Sequence, residues 1–427
     1  MISAPSPVLY TDHYELTMVQ AALADGTADR ACVFEVFARR LPNGRRYGVV
    51  AGIGRLLDHL AGFRFHEEQL EYLSRAEVVD ERTLAWLADY RFTGDIDGYT
   101  EGELYFPGSP ILTVTGSFAE CVLLETLALS VLNFDCAIAG AAARMVTAAR
   151  GRPIIEMGSR RAHEEGAVAA ARAAYLAGFS VTSNLQAGLR YGIPTAGTSA
   201  HAYTLLHDSE PEAFASQVAS LGTDTTLLVD TYDITEGIRR AIATAGPNLR
   251  AIRIDSGDLH VLGQQSRELL DSLGAVDTKI VVSGDLDEYA IASLAATPVD
   301  IYGAGTAVVT GSGAPTAGLV YKLVEVDGRP VVKRSENKAT VGGRKTAVRR
   351  HKPTGTAVEE VVVSQGAPEP QPHDRLLQRP LVRAGERVEG LPDLTEARDH
   401  LRECLISIPW EGLKLSQGDP AIPVLMR

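Results

Sequence analysis
The residues best suited to chemistry stand at the ends of short apolar runs. One run closes with Arg253-Ile254-Asp255-Ser256-Gly257-Asp258. An arginine so placed can clamp a phosphate or carboxylate with two N–H groups. The aspartates two and five residues beyond it can face a metal-bound pyrophosphate or ribose hydroxyls. The Ser-Gly turn lets backbone amides approach an anion. The same letters also suit an ordinary turn with a capping aspartate and a surface ion pair. Val282-Ser283-Gly284-Asp285 and Tyr302-Gly303-Ala304-Gly305-Thr306 close two further runs. Their glycines suit a phosphate cradle of backbone N–H groups, or simply two tight turns.

His201, within Gly197-Thr198-Ser199-Ala200-His201-Ala202-Tyr203, has the chemistry of a phosphoryl acceptor or an acid/base. Asp230, at another run end, can fix its tautomer and stabilise its cation; a histidine satisfied by backbone is the plainer alternative. Arg160 and Arg161 follow Glu156-Met157-Gly158-Ser159. Two adjacent arginines in an acidic chain favour a bound anion over one salt bridge and one solvated charge. Lys322, inside an apolar run, has the chemistry of a Schiff-base lysine, although such a lysine more often faces a carboxylate or a sheet edge.

These residues need a scaffold that brings run ends together. Between 153 and 326, eight apolar runs recur: PIIEM (153–157), FSVT (179–182), IPTAGT (193–198), TTLLVD (225–230), LRAIRID (249–255), KIVVSG (279–284), VDIYGAG (299–305) and GLVYKLVEV (318–326). Helical segments separate them, with Asp233 and Glu236 as a start signal and Gly178, Gly192, Gly246 and Gly274 at helix ends. Alternating β and α segments predict a parallel sheet, and eight runs predict a closed or nearly closed barrel with its site at the strands' C-terminal ends.

Ahead of this region, Ala31–Ala38 alternates as a half-buried strand would, and 97–105 and 111–114 read as further strands of a small α+β layer. Ser117 with Glu120 opens a helix expected through Leu132. Behind it, Asp327-Gly328 signals a hairpin. A basic stretch (333–352), a proline-rich one (367–374) and a helical segment (393–404) follow.

The chain has 427 residues, a prior of roughly three domains or one large barrel with attachments. Against 54 acidic side chains stand 41 basic ones, a net charge of −13, which makes nucleic acid and anionic membranes poor partners. Apolar residues at 45% exclude a disordered chain. The four cysteines are scattered and fit a reducing cytosol. The N-terminus lacks a signal-peptide pattern, and charged or polar residues interrupt Phe118–Ala149, so a soluble, cytoplasmic protein is expected.

Taken in order, several motifs resemble the nicotinate phosphoribosyltransferase family: TDHYELTM (11–18), FEVFARRLP (34–42), EGELYFPGSP (101–110), LETL (124–127), EMGSRRAH (156–163), TSNLQAG (182–188), GTSAHAY (197–203), VDTYD (229–233), RIDSGD (253–258), SGDL (283–286) and YGAGT (302–306). The resemblance implies a type II phosphoribosyltransferase. Its fold is an incomplete parallel, TIM-like α/β barrel (136–326) with an N-terminal α+β open-faced sandwich and junction helix (1–135). A C-terminal segment (327–427) rejoins that first domain. It further implies a homodimer with shared active sites, joining nicotinate to 5-phosphoribosyl 1-diphosphate with Mg²⁺ and coupled ATP hydrolysis.

By the same resemblance His201 is phosphorylated by ATP, Asp230 supports it, and Arg253 and Asp255 stand at the ribose and pyridine. Gly284, Asp285, Gly303, Gly305 and Thr306 form the ribose and 5′-phosphate loops. Tyr14 comes from the neighbouring subunit to stack on the pyridine, and Arg160 lies near ring and phosphate. Mg²⁺ is expected through pyrophosphate near Asp255 and Asp258. The related nicotinamide enzyme has aspartate in place of Asn184 and threonine in place of Ser183. Ser183 and Asn184 can donate to a carboxylate, which predicts nicotinate as substrate. Two other classes compete: a Schiff-base or metal-dependent barrel lyase, and a nucleotide sensor on an inactive scaffold.

Overall fold
The computed structural model describes residues 6–333 and 341–427, so part of the basic stretch lies outside the described residues. The chain divides into two compact units, Met1–Ala137 with Ala314–Arg427, and Ile138–Gly313.

The first unit is built on a seven-stranded antiparallel sheet. Its order is Arg329–Pro330, Leu319–Val326, Ala31–Ala38, Leu112–Ser117, Asp95–Gly98, Arg379–Arg383 and Glu386–Arg387. Ala31–Ala38 has partners on both edges and is buried at every position after Ala31, not on alternate residues as its pattern suggests. Glu35 on this strand is buried, with Lys345 Nζ donating to it at 2.6 Å. Phe34 stacks on Tyr321 with ring centroids 4.9 Å apart.

The run at 318–326 is not the last barrel strand. It pairs antiparallel with Ala31–Ala38, from Ala38↔Leu319 to Cys32↔Val326. A parallel partner requires a crossover connection, and the one helix between Ile301–Ala304 and this strand is the single turn Thr306–Val309. Asp327 and Gly328, with φ of 49° and 73°, turn the chain back onto Arg329–Pro330, the hairpin that the sequence signals. Lys322 lies on this strand and faces Glu125 at 3.7 Å, which takes it out of the parallel sheet and removes the Schiff-base reading.

Within the described part of the basic stretch, Lys345, Arg349 and Arg350 are buried, while Lys333, Arg344 and Lys352 are exposed. Arg349, on the strand Lys345–His351, is fully buried and donates to Glu103 and, at 2.8 Å, to Glu360. Glu360 also accepts from Tyr99 Oη at 2.7 Å and Ser109 Oγ at 2.5 Å. Glu103 accepts in addition from Arg375 and lies 3.0 Å from His400 Nε2. Cys404, one turn along the helix Leu394–Ser407 from His400, completes the cluster with its sulfur 3.5 Å from Glu103 Oε1.

Ser117 and Glu120 cap each other's backbone at the start of Phe118–Val122. The helix breaks at Leu123 and resumes as Glu125–Ala149, well beyond the expected end. By length and composition Phe118–Ala149 suffices to cross a membrane, but 67% of its most apolar window is buried inside the protein.

The second unit carries a six-stranded, all-parallel sheet, ordered Val181–Thr182, Ile154–Glu156, Ile301–Ala304, Lys279–Gly284, Ala251–Ile254 and Thr226–Leu228. The expected strand at 193–198 contributes one bridge, Thr182↔Thr195. Six strands rather than eight leave the barrel incomplete. Helix ends follow the sequence signals: Asp233 accepts from Glu236 N at 2.9 Å, and Gly192 and Gly246 close helices at positive φ, where a side chain would strain the backbone.

Candidate active site
The parallel strands all point one way, so their C-terminal ends form one edge. On it stand Asp230 after Thr226–Leu228, Asp255 after Ala251–Ile254, and Gly284 and Asp285 at the end of Lys279–Gly284. His201 begins the helix His201–Leu206.

A hydrogen-bonded circuit joins these ends. Asp230 Oδ2 accepts from Asp255 N at 2.8 Å and from Ser256 Oγ at 3.1 Å. Its other oxygen, Oδ1, is buried without a hydrogen-bond partner and lies 3.9 Å from His201 Nε2. The opposite ring nitrogen, Nδ1, is 3.2 Å from Thr231 Oγ1. The Asp230 side chain is 2% exposed and that of His201 41%, so the carboxylate is the fixed partner and the imidazole the accessible one.

Arg253 is held at three nitrogens. Nε donates to Ser283 Oγ at 2.8 Å, one terminal nitrogen to Thr198 Oγ1 at 3.2 Å and the other to Asp255 Oδ1 at 2.7 Å. Ser283 Oγ also donates to Asp255. Burial raises the Asp255 pKa, but the Ser283 bond and the Arg253 and His201 charges outweigh it and hold the carboxyl below its ordinary value. The pair is therefore a preset charge pattern that can face an anion.

At the other end of the sheet, Asn184 caps the helix Leu185–Tyr191: Oδ1 accepts from Ala187 N at 2.9 Å, and Nδ2 donates to Ser159 Oγ at 2.9 Å. One amide hydrogen remains for a ligand. Beneath this tip, buried Glu156 accepts from Thr182 Oγ1 at 2.5 Å and from Gly158 N, and burial raises its pKa. Ser183 N donates to Glu156 O at 2.8 Å. Arg160 and Arg161 are exposed in the short helix Ser159–Arg161, with no ion pair among the described residues.

The remaining expected residues have identifiable places. Gly303 is buried within its strand, where a Cβ would come within 2.9 Å of Met157 Sδ and 3.0 Å of Ser283 Cβ, so close packing requires glycine there. Gly305 precedes the one-turn helix Thr306–Val309, whose first residue is exposed. Asp285 is exposed. Asp258 is exposed and caps Leu259–Ser272, accepting from His260 N at 3.1 Å and Val261 N at 3.3 Å. Tyr14 belongs to the other unit, half exposed on the helix His13–Asp25, its pKa pushed up to about 12 by burial and by Glu125, Glu15 and Asp12. Sequence reasoning missed Thr198, Thr231 and Ser283, the hydroxyls that hold His201 and Arg253; their positions inside the strand-end motifs were the available signal.

The family model for the nicotinate phosphoribosyltransferase N-terminal domain matches residues 9–133. Over 97% of this chain and 94% of the relative, the sequence is 61% identical to nicotinate phosphoribosyltransferase pncB1 of Mycobacterium tuberculosis. The chain belongs to the nicotinate phosphoribosyltransferase family. A family relative from Bacillus subtilis is 39% identical over 80% of this chain and 72% of its own length. The crystal structure of human nicotinic acid phosphoribosyltransferase superimposes with a TM-score of 0.86 at 26% identity, covering 97% of both chains. The family's incomplete parallel barrel with antiparallel sheets is thus the fold of this chain.

Proposed function
We infer that this chain transfers the phosphoribosyl group of 5-phosphoribosyl 1-diphosphate to nicotinate, forming nicotinate mononucleotide and pyrophosphate for NAD salvage, and couples the transfer to ATP through His201. Family membership supports the transfer. The coupling is supported by one observation above the rest: an accessible imidazole lies over a buried carboxylate that is wired by hydrogen bonds to Asp255 and so to Arg253.

The nicotinate ring nitrogen attacks the anomeric carbon as the bond to pyrophosphate breaks through an oxocarbenium-like state. Little covalent help is needed, so positioning and electrostatics carry the rate. Arg253, locked by Ser283 and Asp255, orients an anionic group. Ser183, Asn184 and Arg160 receive the nicotinate carboxylate, which an aspartate at 184 would repel. Gly284, Asp285, Gly305 and Thr306 take the ribose and its 5′-phosphate, with Gly303 keeping the adjoining strands close. Asp255 Oδ2 and Asp258 Oδ2 have no hydrogen-bond partner among the described residues, and hard carboxylate oxygens suit Mg²⁺. Mg²⁺ bound there supplies charge neutralisation for the leaving pyrophosphate.

In the coupled half-reaction an imidazole nitrogen attacks the γ-phosphorus of ATP and ADP leaves; water later cleaves the P–N bond. Asp230 faces Nε2, which favours Nδ1, beside Thr231, as the acceptor nitrogen. A homodimer with shared sites completes the reading. Leu185, Leu189, Leu205 and Leu206 are exposed on two helices of the barrel unit, and Tyr14 is half exposed, as a residue that serves a second copy must be.

Turnover of nicotinate, nicotinamide and quinolinate, each with and without ATP, tests this reading. Nicotinate alone is expected to yield mononucleotide and pyrophosphate, faster with ATP. Preference for either other pyridine, or no pyrophosphate release, overturns it.

A further inference from the structure
Arg253 and His201 are joined by two routes of different stiffness. One runs from the guanidinium through Asp255 Oδ1, the Asp255 backbone N–H and Asp230 to the imidazole. Its aspartates follow closely on paired strands, so this route is stiff as far as Asp230. The other is a single bond, from Arg253 to Thr198 Oγ1 at 3.2 Å. Thr198 lies three residues before His201, in a segment outside any strand or helix, next to Gly197, around which a side chain would meet open space.

The circuit is also incomplete at one atom. Asp230 Oδ1 is buried and unpartnered, and the 3.9 Å to His201 Nε2 exceeds a hydrogen bond by about 1 Å. A phosphorylated imidazole whose other nitrogen carries a proton is a stronger donor, and draws toward this oxygen. The 3.2 Å bond from Arg253 to Thr198 is at the long limit for N–H···O, so a loop displacement of that size breaks or tightens it. The 2.7 and 2.8 Å bonds to Asp255 and Ser283 remain as the hinge.

We propose that Thr198 is the positioning residue that carries the phosphorylation state of His201 to the Arg253 guanidinium. This rests on the ATP coupling inferred above. When the imidazole closes on Asp230, the loop carrying Thr198 moves with it, and the Arg253 nitrogen that Thr198 holds is re-aimed toward the bound anion. Nicotinate affinity then differs between the two states of His201.

The test is the ratio of nicotinate turnover with ATP to turnover without it, at nicotinate below KM, for the wild type, Thr198→Val and Thr198→Ser. Val is expected to lower the ratio at least fivefold, through KM rather than kcat, while labelling of His201 from γ-³²P-ATP persists; Ser is expected to restore the ratio. A merely structural role lowers both rates by one factor and leaves the ratio unchanged, which overturns the proposal, as does loss of the label in Val. If Val fails to fold, Thr198→Ala carries the same comparison. A wild type that turns over no nicotinate, or shows no ATP response, overturns the functional reading itself and is seen before any variant is compared.

Discussion
Two clusters of arginine, carboxylate and histidine stand in this chain, and they do opposite things. In the first unit, buried Glu103, Arg349 and Glu360 form a network with the half-buried Arg375 and His400. Burial pushes the Glu103 pKa up, but Arg349, His400 and Arg375 overwhelm it and hold the carboxyl well below its ordinary range. At the parallel strand ends, Asp230 has an oxygen without a partner, and His201 is open to solvent. Residue type does not separate a structural cluster from a chemical one: each leaves a buried polar atom unpartnered, Arg349 Nε in the network and Asp230 Oδ1 at the strand ends, but only the second faces the open imidazole of His201.

The largest effect expected from breaking this contrast is in the buried network. Arg349→Met leaves Glu103 and Glu360 without their shared cation and should cost about 3–5 kcal/mol in urea unfolding. A cost below about 1 kcal/mol would show that the network is relaxed rather than tightly coupled.

Glu15 sharpens the comparison, because it is a buried carboxyl without an ion pair among the described residues. Thr11 and Thr126 donate to it, yet burial raises its pKa from 4.5 to about 7. Since the folded value lies above the unfolded one, stability is full below about pH 4.5 and falls as the pH rises through about 7. Glu15→Gln should remove that fall, stabilising the protein at pH 8 relative to pH 4.5 by about 2 kcal/mol after allowance for screening. Parallel pH–stability curves for the two proteins would refute the assignment.

At the strand ends the effect should appear in binding instead. Asn184→Asp is expected to raise the KM for nicotinate about tenfold or more, equal to about 1.4 kcal/mol. Its unfolding midpoint should hold, because aspartate caps a helix as well as asparagine does. Unchanged kinetics would remove the account of acid over amide. His201→Asn should be smaller still in stability, within about 0.5 kcal/mol, while the response to ATP disappears.

The last expectation is no effect. Glu103, His400 and Cys404 offer ligand atoms within 4.8 Å of one another. Both Glu103 oxygens already accept from arginines, and burial with Glu103 nearby pushes the Cys404 thiol up to about 12. Chelation by EDTA should therefore leave the melting temperature unchanged; a drop reversed by zinc would reassign the cluster.

Much of the strand-end site was legible because its signals are local. A run that ends in Arg-x-Asp-Ser-Gly-Asp carries both its strand and its turn within six residues, and the Asp233 and Ser117 caps are equally short-range. What could not be read depends on distant partners. The run at 318–326 has the composition of a barrel strand, and its pairing with Ala31–Ala38 is set by partners some 280–290 positions earlier in the chain. Glu103 and Arg349 are 246 positions apart, so nothing local in the basic stretch shows that Arg349 is a buried counter-charge in the fold. Asn184 was legible as a ligand group but not as a helix cap, since the cap exists only once Ala187 N is in place.

The second unit is an insertion in the first, leaving it after Ala137 and returning at Ala314. During synthesis the parallel sheet has all its strands by Ala304, whereas Ala31–Ala38 lacks one neighbour until Leu319–Val326 emerges, some 280 residues later. At ribosomal speeds that is a wait of about 15–60 s with one hydrophobic strand edge uncovered. The nascent chain is thus exposed to chaperone capture or aggregation along that edge, and along that of Asp95–Gly98, which waits as long for Arg379–Arg383, so translation rate bears on the yield of folded protein.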